Sequence, residues 1–256
     1  MPFLEEPLEQ AIAAHIEGVV ATAKTATAYR RPLIAIVNAN HPEFAQLKAR
    51  VDPAHLLPDD VLSEAKSVIS FFLPFDAAVV KANARSAYTA REWAVAYIET
   101  NTLIGQICAS LSQLLAGRGY AAQWELPTHN FDPVRLISRW SHKSVGVIAG
   151  LGSFGLHHMV ITDAGCAGRF GSLITTASLI STSPLQPDQQ RCRYFADGGC
   201  TVCVDRCPVQ ALRTDGLDSA RCYQRCLEVD EHFSDLGLTD VCGKCATGPC
   251  ALAPAP

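Results

Sequence analysis

Nine of the eleven cysteines fall in the last quarter of the chain, a stretch with too little core to fold well without cross-links. The centre of the pattern is Cys200-Thr-Val-Cys203-Val-Asp-Arg-Cys207-Pro208. Cys222, Cys226 and Cys242-Gly-Lys-Cys245-Ala-Thr-Gly-Pro-Cys250 follow. Proteins that hold two iron–sulfur clusters use C-x2-C-x2-C-x3-C-P, in which the fourth cysteine crosses to the other cluster. Here C-x2-C-x3-C-P is kept, and Asp197 stands where the first cysteine would be. Disulfides would require an oxidising compartment, to which nothing in the sequence points. Zinc takes paired cysteine knuckles or adds histidine. The C-x3-C-P ending and the number of thiols favour two [4Fe–4S] clusters over either alternative.

Two cubane clusters need eight thiolates. One set would be Cys192, Cys200, Cys203 and Cys250, with Cys192 replacing the missing cysteine across a longer loop. The other would be Cys207, Cys222, Cys242 and Cys245. Cys226 is then spare, one helical turn after Cys222, and it could replace Cys222 or Cys192. Cys108 lies in an apolar helical stretch and reads as a buried, inert thiol. Cys166 lies in a glycine-rich loop, and its role stays open.

The length of 256 residues allows one large unit, 1–183, and one small unit, 184–256. A formal net charge of −4 is no footprint for nucleic acid. From Asp188 onward, ten acidic residues face seven basic ones, which suits a protein electron donor with a basic docking surface. The acidic start, Met1-Pro-Phe-Leu-Glu-Glu, has no signal-peptide character. Arg30-Arg31 before Leu33-Ile-Ala-Ile-Val37 superficially resembles a twin-arginine signal, but the apolar run is short and reads better as a buried strand. No run approaches the ~18 apolar residues of a membrane span. The expectation is a cytoplasmic protein with no membrane partner.

Apolar periodicity predicts helices over 4–28, 43–50, 85–116 and 134–149. Strand formers predict strands over 32–37, 68–74, 120–125, 159–162 and 170–176, and a polar loop over 181–190. The mixture lacks strict βαβ alternation, so the expected fold class is α+β. Gly150-Leu-Gly152-Ser-Phe-Gly155 satisfies G-x-G-x-x-G. A dinucleotide site needs a strand before that motif and a helix after it. Here a helical stretch precedes and a strand follows, so that reading is rejected.

Ala149-Gly-Leu-Gly-Ser-Phe-Gly155, Val160-Ile-Thr162, Gly171-Ser-Leu-Ile-Thr175, Val68-Ile-Ser-Phe-Phe-Leu-Pro74 and the cysteine region together resemble the epoxyqueuosine reductase and reductive dehalogenase superfamily. The resemblance implies a catalytic domain able to bind cobalamin, fed by two [4Fe–4S] clusters in a ferredoxin-like domain. It also implies a proton-donating aspartate shortly before the glycine loop, for which Asp132 in Asn130-Phe-Asp132-Pro133 is the nearest match. The family's first cluster motif has a closer cysteine that is absent here, and Cys245-x4-Cys250 is off pattern, so the chain resembles a shorter branch. The chain stops six residues after Cys250 and lacks the helical-repeat region that helps epoxyqueuosine reductase hold tRNA. With its negative charge, this leads to the expectation of no nucleic-acid substrate.

Asp132 and His129 are thus the candidate acids, although an aspartate before proline is also a common turn former. Gly150, Gly152, Gly155, His157 and Arg169 are the candidate cofactor contacts: glycines for close backbone approach, Arg169 for bidentate binding of a phosphate or carboxylate. His142, Lys143 and His158 flank the same loop. Three functions compete. The first is a reductase acting on a small molecule, supplied by a ferredoxin- or flavodoxin-type donor. The second is an electron carrier or activator that docks another protein. The third is a zinc-stabilised regulatory module. The extra domain beyond the cysteines favours the first.

Overall fold

A computed structural model of the chain describes residues 7–183 and 189–255. It opens with α1 (Leu8–Thr22), β1 (Leu33–Asn38), α2 (Pro42–Arg50), α3 (Pro58–Val61), β2 (Ser67–Pro74), α4 (Ala77–Arg85) and α5 (Arg91–Ala116). Short strands β3 (Ala122–Gln123), β4 (Phe131–Asp132) and β5 (Ile137–Ser138) lead to α6 (His142–Ile148). Then come β6 (Gly152–Phe154), β7 (Val160–Thr162) and β8 (Gly168–Thr175). The cysteine region holds α7 (Arg193–Asp197), α8 (Val202–Asp205), β9 (Leu212–Arg213), β10 (Gly216–Leu217) and α9 (Ser219–His232). The fold is α+β, as expected.

The framework is an antiparallel sheet in the order β1-β2-β8-β3. All eight residues of β2 are buried because helices cover both faces of the sheet. Ile69, Phe71 and Leu73 point to one face and pack with α1 and α5. Val68 and Phe72 point to the other, with Trp140, Val145 and Phe170. Each fully buried phenylalanine contributes ~1.5–3 kcal/mol. This double cladding explains why 68–74 reads as an unbroken apolar run rather than an alternation.

The expected 85–116 helix is two helices. Asp76 caps α4 by accepting the Ala78 N–H at 2.8 Å, and Asn83 accepts the Ala90 N–H at 3.0 Å to hold the break before α5. The expected 134–149 helix shortens to α6, which Ser141 caps, because 131–138 forms the β4–β5 hairpin instead. The first helix is shorter than 4–28, and residues 4–6 lie outside the described residues, as do 184–188 of the expected loop.

The cysteine region is tied to the sheet unit by main-chain groups. Cys166 and Ala167 donate their N–H groups to the carbonyls of Cys250 and Ala251, and Arg30 donates to the carbonyls of Phe75, Ala164 and Leu252. Arg30 is therefore a structural anchor. The buried Lys244 ammonium donates to the carbonyls of Asn83 and Ser86 at the end of α4, where the helix dipole favours a cation. Among the described residues no helix is long and apolar enough to cross a membrane.

Candidate functional site

A cavity of about 430 Å³ lies between the sheet unit and the cysteine region. Cys207, Cys222, Cys226, Cys242 and Cys245 of the cysteine region line it. Tyr97, Lys143 and Arg169 of the sheet unit line it as well, with Asp240 beside Cys242 and the aromatic side chains of Phe75, Trp93, Phe131 and Tyr223. A second cavity of about 370 Å³ adjoins it and shares Thr128, Phe131, Lys143 and Arg169.

The polar side is built by α5, β8 and the Thr239–Cys242 segment. Arg169, on β8, places its guanidinium 4.4 Å above the Tyr97 ring. Its Nε is buried without a hydrogen-bond partner, and among the described residues Arg169 forms no ion pair. Burial lowers its pKa, opposed by the nearby Tyr97 and Asp240. The Tyr97 hydroxyl donates to Asp240 Oδ1 at 2.6 Å and lies 2.9 Å from Thr128 Oγ1. Burial pushes the phenol up to about 12, so it stays protonated. Lys143 donates to the His158 carbonyl at 3.0 Å, and burial lowers its pKa as well. Arg169, read from sequence as a candidate for binding a phosphate or carboxylate, lies on strand β8 and lines the cavity.

His129 reaches this cluster, with Nε2 3.5 Å from Asp240 Oδ1. Asp132 does not. Its carboxylate is exposed and accepts the N–H groups of Val134 and Arg135 at 2.8 and 2.9 Å, closing the β4–β5 turn. Those two bonds hold its pKa below the usual carboxylate range. Phe131 and Leu136 of the same hairpin line the cavity, whereas Asp132 does not. The glycines also differ from expectation. A Cβ on Gly152 would lie 2.2 Å from the Ile161 carbonyl oxygen, and one on Gly155 would lie 2.8 Å from the His157 ring. Gly150 turns the chain after α6 with φ 86. The close approach that Gly152 and Gly155 permit is of the chain to itself, within the β6–β7 hairpin. His142 is a core hydrogen-bonder: it lies between Ser172 Oγ and the Leu126 carbonyl, and burial lowers its pKa to about 4.

The cysteines gather as two groups, and among the described residues none forms a disulfide. Cys203 lies within electrostatic reach of Cys250, Cys192 and Cys200. Cys245 lies within reach of Cys242, Cys222, Cys203 and Cys207. Burial first, and then these neighbours, push Cys203 up to about 11 and Cys245 well above its ordinary value. A cation reverses this, because coordinated thiols deprotonate outright. The donor set therefore fits a metal cluster. Asp197, in the place of the missing cysteine, accepts the Gly199 N–H at 2.7 Å and closes a turn. Cys226 hydrogen-bonds to Cys222 beside the second group. Cys166 Sγ lies 3.9 Å from Cys250 Sγ, and His157 Nε2 lies 3.2 Å from it, so His157, Cys166 and Cys250 form a compact set of potential metal ligands. Cys108 is buried and its thiol is pushed up to about 12, as befits an inert core residue.

No protein-family model matches the chain. Over 86 residues it is 36% identical to an epoxyqueuosine reductase of Bacillus cereus, a match that covers 32% of this chain and 20% of that one. An epoxyqueuosine reductase bound to a tRNA-Tyr stem loop shares the fold with TM-score 0.60 and 16% identity, over 95% of this chain and 65% of that one. A reductive dehalogenase structure concerned with B12-dependent dehalogenation does so with TM-score 0.57 and 13% identity, over 96% of this chain and 32% of that one. Fold and sequence both resemble the epoxyqueuosine reductase and reductive dehalogenase superfamily. The sequence match spans about a fifth of the curated reductase, and the shared fold spans just under two thirds of the solved one. The superfamily members named here are reductases, which supports oxidoreductase chemistry. The tRNA-bound member stands in tension with the expectation of no nucleic acid.

Tyr97 and Asp240 were not singled out from sequence. Tyr97 sits on the apolar face of α5 among Trp93, Ala96 and Thr100, where an aromatic with a polar tip is easily read as core. Asp240 carried one usable signal, its place two residues before Cys242.

Proposed function

We propose that the chain is an iron–sulfur reductase in which two [4Fe–4S] clusters pass electrons to an acceptor in the cavity. The ligands would be Cys192, Cys200, Cys203 and Cys250 for one cluster, and Cys207, Cys222, Cys242 and Cys245 for the other. The unit 1–183 would hold the acceptor and 184–256 the clusters. The observation that carries this reading is the cavity lining, which brings thiols of the second set together with two cations of the sheet unit, Lys143 and Arg169. A buried guanidinium without an acidic partner is costly unless a ligand supplies acceptors. Arg169 and Lys143 therefore favour an acceptor with anionic or carbonyl groups on a planar, apolar body. Cobalamin, a macrocycle edged with amides, offers such groups, and it would have to span this cavity, the adjoining one and space beyond them. When bound, it would supply a cobalt centre able to relay electrons to a substrate. The chain's own residues would orient the substrate through Arg169 and Lys143. They would hold a proton on Tyr97, with Asp240 as its acceptor and the half-exposed His129 linking Asp240 towards solvent.

Electrons would arrive from a ferredoxin- or flavodoxin-type protein, to which the acidic surplus of the cysteine region is suited. Anaerobic purification with iron, sulfide and corrinoid analysis tests the cofactors: about eight irons are expected, the sum of two four-iron clusters. Zinc in place of iron would reject the reading. Arg169→Met should leave the iron content unchanged and lower acceptor affinity at least tenfold, whereas an unchanged affinity would move the acceptor elsewhere. A second reading, reduction of a modified tRNA base, is favoured by the name of the curated relatives and by the tRNA-bound structure. Binding of a tRNA anticodon stem loop, measured across a salt series, separates the two readings.

A further inference from the structure

The turn between β6 and β7 carries two hydrogen-bond donors that end on two cysteines of one group. The Leu156 N–H points at Cys192 Sγ, 3.5 Å away, and His157 Nε2 lies 3.2 Å from Cys250 Sγ. The tautomer of His157 is fixed locally. The Met159 N–H donates to Nδ1 at 3.1 Å, so the ring proton of the neutral imidazole sits on Nε2 and faces the thiolate. The side chain is buried, at 3% exposure. Gly155 makes room for it, since a Cβ there would press on the ring. The turn is closed by the Gly155 N–H on the Met159 carbonyl and the His158 N–H on the Gly155 carbonyl. The glycine motif thus holds an imidazole against a cysteine rather than a phosphate against a helix.

We propose that His157, helped by the Leu156 N–H, is a positioning residue that raises the reduction potential of the cluster held by Cys192, Cys200, Cys203 and Cys250. The proposal rests on the ligand assignment above. A reduced cluster carries one more negative charge, shared in part by its thiolate sulfurs, and N–H donors aimed at those sulfurs stabilise that state more than the oxidised one. The burial of the His157 ring strengthens its contact. The other group is served differently. The Ala211 N–H meets Cys207 Sγ at 3.2 Å, and the Lys143 ammonium lies within electrostatic reach of Cys245 and Cys222. One cluster would be tuned by neutral dipoles from the sheet unit, the other by a dipole of its own region and a nearby charge.

The test is an EPR-monitored redox titration of the full chain with reconstituted clusters. His157→Leu should lower the reduced-to-oxidised ratio of one cluster about tenfold at a fixed poise, a downward shift of about 59 mV for a one-electron couple. The second cluster should not move. His157→Gln keeps an N–H donor and should recover most of the shift. Gly155→Ala keeps the imidazole but displaces it, and should shift the same cluster downward by less. Loaded His157→Leu with both potentials unmoved overturns the proposal. If His157→Leu fails to load iron, an unmoved potential in Gly155→Ala overturns it instead. Cys192→Ser and Cys250→Ser check the premise. Full iron retention in both overturns premise and proposal together, whereas iron loss in both with unmoved potentials overturns the proposal alone.

Discussion

The two sides of the cavity are folded by different forces. On the sheet side, β2 is buried along its whole length, two apolar clusters clad the sheet, and Trp140 is fully enclosed with its Nε1–H on Ser172 Oγ at 2.9 Å. On the cysteine side, the strands among the described residues are two residues long, and the buried apolar set is small: Cys203, Ala211, Leu212, Val229, Phe233, Ala246 and Ala251. Hydrophobic burial can account for the first side, whereas on the second the proposed ligation would offset the entropy of ordering its loops. The cavity is thus a seam between a wall that stands by itself and a wall that, on the proposed reading, metal ligation would hold in shape.

The largest expected effect breaks one wall and spares the other. Cys245→Ser should lose about half the iron and open the region after residue 189 to limited proteolysis, because cluster binding is coupled to folding. The melting transition of the sheet unit should stay in place. A single collapse of the whole chain would show that the two walls are not independent. Cys226→Ser should retain its iron. Loss of iron there, with retention in Cys192→Ser, would exchange their roles.

The converse experiment strikes the sheet side. Gly152→Val forces a side chain into the Ile161 carbonyl and should cost ~3 kcal/mol or more in denaturant unfolding, as overpacking against backbone does. Iron should still load. Normal stability with lost acceptor binding would instead restore the glycine loop as a ligand cradle.

Acid sharpens the contrast further. His142 is held neutral, with its pKa lowered by burial to about 4. Between the ordinary histidine value and that lowered one, the unfolded chain binds a proton that the folded chain does not. Stability therefore falls as pH drops from about 6.5 towards 4, by up to about 3 kcal/mol. His142→Gln should flatten that part of the profile. An unchanged slope would assign the acid sensitivity to the cysteine side.

The sheet was largely legible in the sequence because double-sided burial writes continuous apolar runs, as in 68–74. The gathering of the cysteines was legible because short, fixed spacings bring thiols together. What escaped was set by long-range packing. Nothing local says that Asn83 breaks the helix before Arg91, that 131–138 prefers a hairpin, or that Tyr97 and Asp240, 143 residues apart, share a hydrogen bond. The glycine motif was found, but its spacing shows that backbone comes close to something without showing that Gly152 and Gly155 pack against their own hairpin.

The smallest expected effect separates two aspartates that sequence alone could not. Asp132→Asn keeps an acceptor for the Val134 and Arg135 N–H groups, so melting temperature and turnover should stay within error of the unmutated protein. Asp240→Asn leaves the Tyr97 phenol facing an amide in place of a carboxylate. With iron content unchanged, turnover should fall about tenfold, ~1.4 kcal/mol in the barrier. The comparison is informative because both changes are isosteric and remove one charge, one on an exposed turn and one on the cavity wall. Equal losses from the two would mean that the β4–β5 hairpin swings its carboxylate into the cavity during turnover. A loss from Asp132→Asn alone would return the proton-donor role to the residue that the family resemblance first suggested.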